Sequence, residues 1–268
     1  MRFVLALTPL VLLAACGAEE PASAVGTPTA AAATGKASAA AVPLAKAVNV
    51  SIETPRFSFT FAYPAAAAAI PALKARLEAE RGKAQAEIAA MAKEGEQQAK
   101  ADGFDFNPYD RSITYSTVTE LPGWLSLNSQ TSEFTGGAHG NSGSSALLWD
   151  KAAGTARDPI SLFVSKAAFD AALRGAFCNA LDKQRAERRG EPVDQTSGDD
   201  FDECLAPSSV TVLLGSSNRQ QFNRIGFIAD PYVAGPYAEG SYEVTLPVTP
   251  ALIKVVKPEY RALFAVGR

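Results

Sequence analysis

The stretch Ser132-Glu133-Phe134-Thr135-Gly136-Gly137-Ala138-His139-Gly140-Asn141-Ser142 constrains this chain more than any other. Gly136, Gly137 and Gly140 fall within five positions. Such spacing describes a backbone that turns at positive φ or lets another group approach closely. Strand-like runs flank it, Gly123 to Phe134 before and Ser144 to Trp149 after. It therefore reads as a structured connection between two strands. The same turn carries His139, the one histidine in 268 residues.

Periodicity places the other elements. Val48 to Tyr63 alternates through Val50, Ile52, Phe57, Phe59 and Phe61, as two short strands or one strand bent at Pro55. From Pro71 to about Lys100 the pattern turns helical, with Ile70, Leu73, Leu77, Ala84, Ile88 and Met91 as a narrow apolar stripe. Its outer charge is mixed in sign, which suits a helix packed on a sheet and not one lying on a membrane. Arg111 to Leu121 and Gly123 to Phe134 read as an antiparallel pair turning at Pro122-Gly123. Ser165 to Arg189 is the strongest helix, with Ser165 as N-cap and Phe169, Leu173, Phe177 and Leu181 on one face. Gly190 to Glu203 is acidic and turn-rich but lacks the ordered ligand pattern of a calcium loop, so it reads as a solvated loop. Val210 to Leu214, Phe222 to Ala229 and Tyr242 to Val248 are strands, and a short helix starts near Pro250. The fold class expected is α+β, an antiparallel β-sheet packed against two main α-helices.

Met1-Arg2, the apolar run Phe3 to Leu13 and then Leu13-Ala14-Ala15-Cys16 describe a signal peptide over residues 1–15. The apolar run is too short to cross a bilayer. Leu-Ala-Ala-Cys resembles the bacterial lipobox, which implies lipidation of Cys16 with acyl chains such as palmitate and a membrane partner through that anchor. The lack of Asp after Cys16 resembles outer-membrane sorting, facing the periplasm. Residues 16–47 are rich in Ala, Thr, Pro and Ser without an apolar face, and read as a disordered linker. Net charge is −3 with no basic block, so nucleic acid is not an expected partner. In an oxidising compartment Cys178 and Cys204 most simply form a disulfide, with two free buried thiols as the other reading.

The chemistry available is sparse. Gly140-Asn141-Ser142-Gly143-Ser144 falls one glycine short of a nucleophile elbow. No cluster with metal-ligand spacing contains His139, and no phosphate-cradling loop is present, so no metal and no cofactor is expected. Paired carboxylates for glycoside cleavage need not be adjacent in sequence and stay open. His139 has three available roles: bonding the backbone of its own turn, contacting a partner, or acting as a base.

Phe134-Thr135-Gly136-Gly137-Ala138-His139-Gly140-Asn141, followed by a strand and by Asp158-Pro159-Ile160-Ser161-Leu162-Phe163 opening a helix, resembles the domain of unknown function in the outer part of the lysozyme-sensing anti-sigma factor RsiV. Ile225 to Tyr232, Ala234 to Gly240 and the strand Tyr242 to Pro247 are similar to the close of that domain. Residues 48–122 are similar to the companion domain that precedes it there and in a peptidoglycan deacetylase, which leaves 123–268 as the RsiV-like domain. Nothing here corresponds to a sigma-binding region, so sigma regulation is not expected. The resemblance implies a non-catalytic envelope module that binds lysozyme or another muramidase, with Gly136, Gly137, His139 and Asn141 as contact residues. A peptidoglycan-binding structural module and a cell-wall hydrolase are the alternatives.

Overall fold

The computed structural model describes residues 44–268; the expected leader, the lipidated Cys16 and nearly all of the linker lie outside the described residues. A six-stranded sheet takes up the first half in strand order β1 to β6: β1 (Val48–Glu53), β2 (Phe57–Tyr63), β3 (Tyr109–Glu120), β4 (Trp124–Phe134), β5 (Asn141–Asp150) and β6 (Thr155–Arg157). Between β2 and β3 come the single turn α1 (Ala65–Ala68) and the long α2 (Pro71–Asp102). All neighbours pair antiparallel except β2 and β3, which are parallel. The purely antiparallel sheet expected from sequence is corrected here. A helix as long as α2 returns the chain to the end of the sheet where β2 began, and a strand started there must run parallel to β2.

Alternation along the strands decides which face α2 covers. Phe59, Phe61 and Tyr63 of β2, Ile113 and Tyr115 of β3, and Leu125 and Leu127 of β4 point to one face and form a core with Leu73, Leu77, Ala84 and Ile88 of α2. Met91, placed on the buried stripe by periodicity, is 38% exposed, and Ala92 takes its place at 0%. The phenols of Tyr63 and Tyr115 reach past this core and donate to Glu78 and Glu80 of α2, at 2.6 Å each.

The last three strands of the chain form a second sheet, where the expected fold class has a single one. It holds β7 (Thr211–Gly215), β8 (Arg224–Ala229) and β9 (Tyr242–Pro247), all antiparallel. One of its faces packs on α3 (Lys166–Arg189), where Phe177 lies 4.8 Å from Phe227 between ring centroids. Ser165 caps α3 by accepting from the Ala168 amide, as its sequence position suggested. The Asp158 segment, expected to open a helix, instead forms a 3-10 turn over Pro159–Leu162 ahead of α3. After β9 come α4 (Pro250–Lys254) and a 3-10 turn at Pro258–Leu263.

The second core also takes Trp124 and Leu148 from the far face of the first sheet. Leu147 and Leu148 are therefore adjacent in sequence and buried in different cores. Residues 43–268 form one compact unit, and the division expected between 122 and 123 falls in the turn of the β3–β4 hairpin.

Candidate recognition site

The glycine turn joins β4 to β5, and its glycines do different things. Gly136 and Gly137 adopt φ of +94° and +88°, and an added Cβ would meet nothing within 4 Å at either, so backbone conformation alone demands glycine. Gly140 is a close approach, because a Cβ there would sit 2.9 Å from the carbonyl oxygen of Glu133. Asn141 lies at the exposed start of β5, paired with Glu133.

His139 stands exposed on this turn with both ring nitrogens in use. Nδ1 donates to the Gly140 carbonyl at 2.9 Å, and Nε2 faces the Tyr232 hydroxyl at 3.4 Å. That pairing leaves Nε2 as the acceptor. The imidazole stacks on Tyr237 at 4.0 Å between centroids and 19° between planes, and Tyr232 lies 5.6 Å from Tyr237. Three aromatic rings thus meet at the surface, with Tyr232 55% and its neighbour Val233 38% exposed. Tyr232 and Tyr237 were not picked out as site residues from sequence. Their signal was two tyrosines in a turn framed by Pro231, Gly235 and Pro236.

The loop from Asp230 to Gly240 that carries the tyrosines is tied down at both ends. Asp230 follows β8, and its Oδ2 accepts from the Ser144 amide of β5 at 2.8 Å, while Thr211 Oγ1 donates to the Ser144 carbonyl at 2.8 Å. These bonds fill the open edge of β5 and hold the loop against the glycine turn. The other end is gripped by arginines of α3. Arg185 is fully buried and donates from Nε to the Ala234 carbonyl at 2.9 Å and from Nη1 to the Glu203 carbonyl at 3.0 Å. Arg188 donates to the Glu239 and Ser241 carbonyls and lies 4.0 Å over the Tyr242 ring. Arg189 bridges Glu239 and Asp202.

Electrostatics reinforce that grip. Burial pushes the Glu239 carboxyl up, but bonds from Arg189 and Tyr242 outweigh it and hold the carboxyl below the usual range. Arg189 is correspondingly raised, chiefly by its bond to Glu239. Glu239 and Pro236 border a 610 Å³ cleft whose far wall is the acidic loop, with Asp194, Asp199 and Asp202. That loop carries six acidic and no basic residues between 190 and 203. Cys178 of α3 is joined to Cys204 at its end, Cα to Cα 5.5 Å. Among the described residues no group of three His, Cys, Asp or Glu is arranged to hold a metal ion, and no helix is long and apolar enough to cross a membrane.

Residues 50–142, about a third of the chain from β1 to the start of β5, match the family described as Deacetylase PdaC. No curated protein matches the chain. Two solved structures of DUF3298 family proteins are similar to it. One, from Bacteroides fragilis, shares 17% identity, with 76% of this chain and 90% of that one covered and a TM-score of 0.47. The other, from Pseudomonas aeruginosa, shares 16% identity over 84% of this chain and 98% of that one, with a TM-score of 0.45.

Proposed function

We propose that this protein is a non-catalytic binding module of the cell envelope whose partner is a basic, wall-cleaving enzyme of the lysozyme type. One observation carries the reading: His139, Tyr237 and Tyr232 form an exposed aromatic surface, fixed by α3 and by β5, beside an acidic loop. Tyrosines already held in place lose little entropy on binding and are frequent anchors of protein interfaces. The acidic loop raises the rate of encounter with a cationic partner. A base role for His139 is not supported, since the one side chain bonded to its Nε2 among the described residues is the Tyr232 phenol and no serine or cysteine nucleophile stands there. The RsiV resemblance supplies the muramidase. Anchoring through Cys16 in the outer membrane, facing the periplasm, belongs to the same proposal and rests on Leu13-Ala14-Ala15-Cys16.

Titrating the full chain against hen lysozyme while following muramidase activity tests this reading. Saturable binding with inhibition is expected, weakened by added salt and at least tenfold by Tyr232→Ala. Absence of both binding and inhibition overturns the muramidase partner, and a wall substrate turned over by the native chain but not by His139→Ala overturns the non-catalytic reading.

A further inference from the structure

The end of the β3–β4 hairpin and the turn between β7 and β8 border a 670 Å³ cleft, lined by Thr117, Thr119, Glu120, Lys151, Ser216 and Arg219 among others. Here β3 outruns β2. Their pairing ends at Ala62 and Thr114, so the last residues of β3 have an open edge on that side. The strand is also irregular, with a register shift between Thr117 and Thr119 that makes Val118 the extra residue of a bulge. Bulges of this kind recur next to active sites, where they re-aim a side chain. The side chain re-aimed here is that of Thr119. It is only 6% exposed, yet among the described residues no protein group bonds its hydroxyl, which is left to the cleft that the residue lines.

The opposite wall is rigid. Ser216 Oγ donates to Asn218 Oδ1 and accepts from the Arg219 amide, both at 2.9 Å, while Asn218 Oδ1 also accepts from the amides of Gln220 and Gln221. Asn223 Oδ1 accepts from the Ser217 amide at 2.8 Å. This network holds Arg219 at φ +58°, a conformation that glycine takes without strain. The arginine is therefore kept for its side chain, and no acid pairs with its guanidinium among the described residues. Glu120 is the one carboxylate lining the cleft, and Lys151 already answers it. The ammonium donates to Glu120 Oε1 and to the Leu121 carbonyl, at 2.9 Å each, and keeps a third N–H. With Lys151 and Arg219 against Glu120, the lining carries a net charge of +1.

We infer that this cleft is a binding site for a phosphate monoester. The guanidinium fork matches two phosphate oxygens, and the hydroxyls of Thr117 and Thr119 with the third N–H of Lys151 serve the remaining one. A carboxylate, with two oxygens, would use the fork and leave the other donors unmet. A polyanion would need more than one uncompensated cation. The fixed turn and the bulge hold these donors in place before the ligand arrives, which lowers the entropy lost on binding. The group can come free in solution, on a small soluble ester, or as a lipid headgroup. The cleft shares no lining residue with the tyrosine cluster or the acidic loop, so the site goes beyond the muramidase proposal and stands or fails without it.

Isothermal titration of the full chain with inorganic phosphate, glycerol 3-phosphate and acetate tests the inference. Saturable binding of both phosphates is expected, with acetate at least tenfold weaker. Arg219→Gly is expected to keep or raise the thermal midpoint, because it relieves the backbone, and to weaken phosphate binding at least tenfold. Thr119→Val, which keeps the shape and removes the hydroxyl, is expected to weaken it about threefold or more, while Tyr232→Ala leaves it unchanged. No binding of either phosphate, equal binding of acetate, or full binding by Arg219→Gly overturns the site. Displacement of glycerol 3-phosphate by vesicles containing phosphatidate, and not by phosphatidylcholine vesicles, assigns the lipid headgroup as the source. Displacement by neither assigns the soluble esters, and either result upholds the site.

Discussion

Tyr232 holds φ at +69°, one of two non-glycine residues at positive φ among the described residues. For a side chain with a Cβ this conformation costs about 1–2 kcal/mol. The cost is met where the ring of Tyr232 is presented beside His139 and Tyr237, which is the pattern of backbone strain kept at a recognition site. Tyr232→Gly is accordingly expected to raise the thermal midpoint by a few degrees, about 1 kcal/mol, while lysozyme binding drops. Differential scanning calorimetry beside the titration checks both halves. Tyr63 makes a different residue-scale prediction. Burial first, and then its bond to Glu78, push its phenol up to about 12. A group raised on folding stabilises fully below its unfolded value of about 10 and loses that contribution as pH rises through the folded value. Unfolding of the native chain between those limits is expected to show a pH dependence that Tyr63→Phe reduces but does not abolish, since burial and a carboxylate bond also raise Tyr115 and Tyr242.

At the scale of elements, α3 works as a clamp as well as a core helix. Its apolar face was legible in sequence. Its arginines Arg185, Arg188 and Arg189 grip the tyrosine loop, with Arg185 completely buried. Arg185→Met is expected to cost about 2–4 kcal/mol, because the carbonyls of Ala234 and Glu203 lose their donors, and to loosen the aromatic cluster. Denaturant titration gives the first quantity and tyrosine fluorescence the second. Glu239 sets the acid limit of the same clamp. Its carboxyl is depressed on folding, so its contribution is present above the unfolded value of about 4.3 and lost as pH falls through the folded one. Acid melting of the loop is therefore expected below about pH 4, and Arg189→Met is expected to flatten that dependence. The bridge from Cys178 to Cys204 pins the end of the acidic loop to α3 across a separation of 26 residues. Replacing both cysteines by serine is expected to cost about 3 kcal/mol in chemical denaturation.

For the whole molecule, the decisive feature is that one sheet serves two cores. Leu147 faces α2 and Leu148 faces the second sheet and α3, so the two bodies share β4 and β5 and are expected to unfold together. Leu147→Ala and Leu148→Ala are each expected to lower stability by about 2–5 kcal/mol and to leave a single calorimetric transition. Two separate transitions would contradict the shared-strand arrangement. The companion and C-terminal segments distinguished by resemblance are thus joined through the β3–β4 hairpin.

The sequence by itself determined whatever is encoded over a few neighbouring residues. Period-two and period-3.6 patterns marked most strands and both long helices, Ser165 marked a cap, and the spacing of Gly136, Gly137 and Gly140 marked a bend that only glycine can make, since these depend on local φ and on which side chains share a face. Tertiary structure alone decided what depends on registry between distant segments. The parallel pairing of β2 with β3, the separation into two sheets and the meeting of His139 with Tyr232 across 93 residues are of this kind. No short window of sequence records them, because strand order and register are fixed by which apolar faces find a common core, and that is a property of the whole chain.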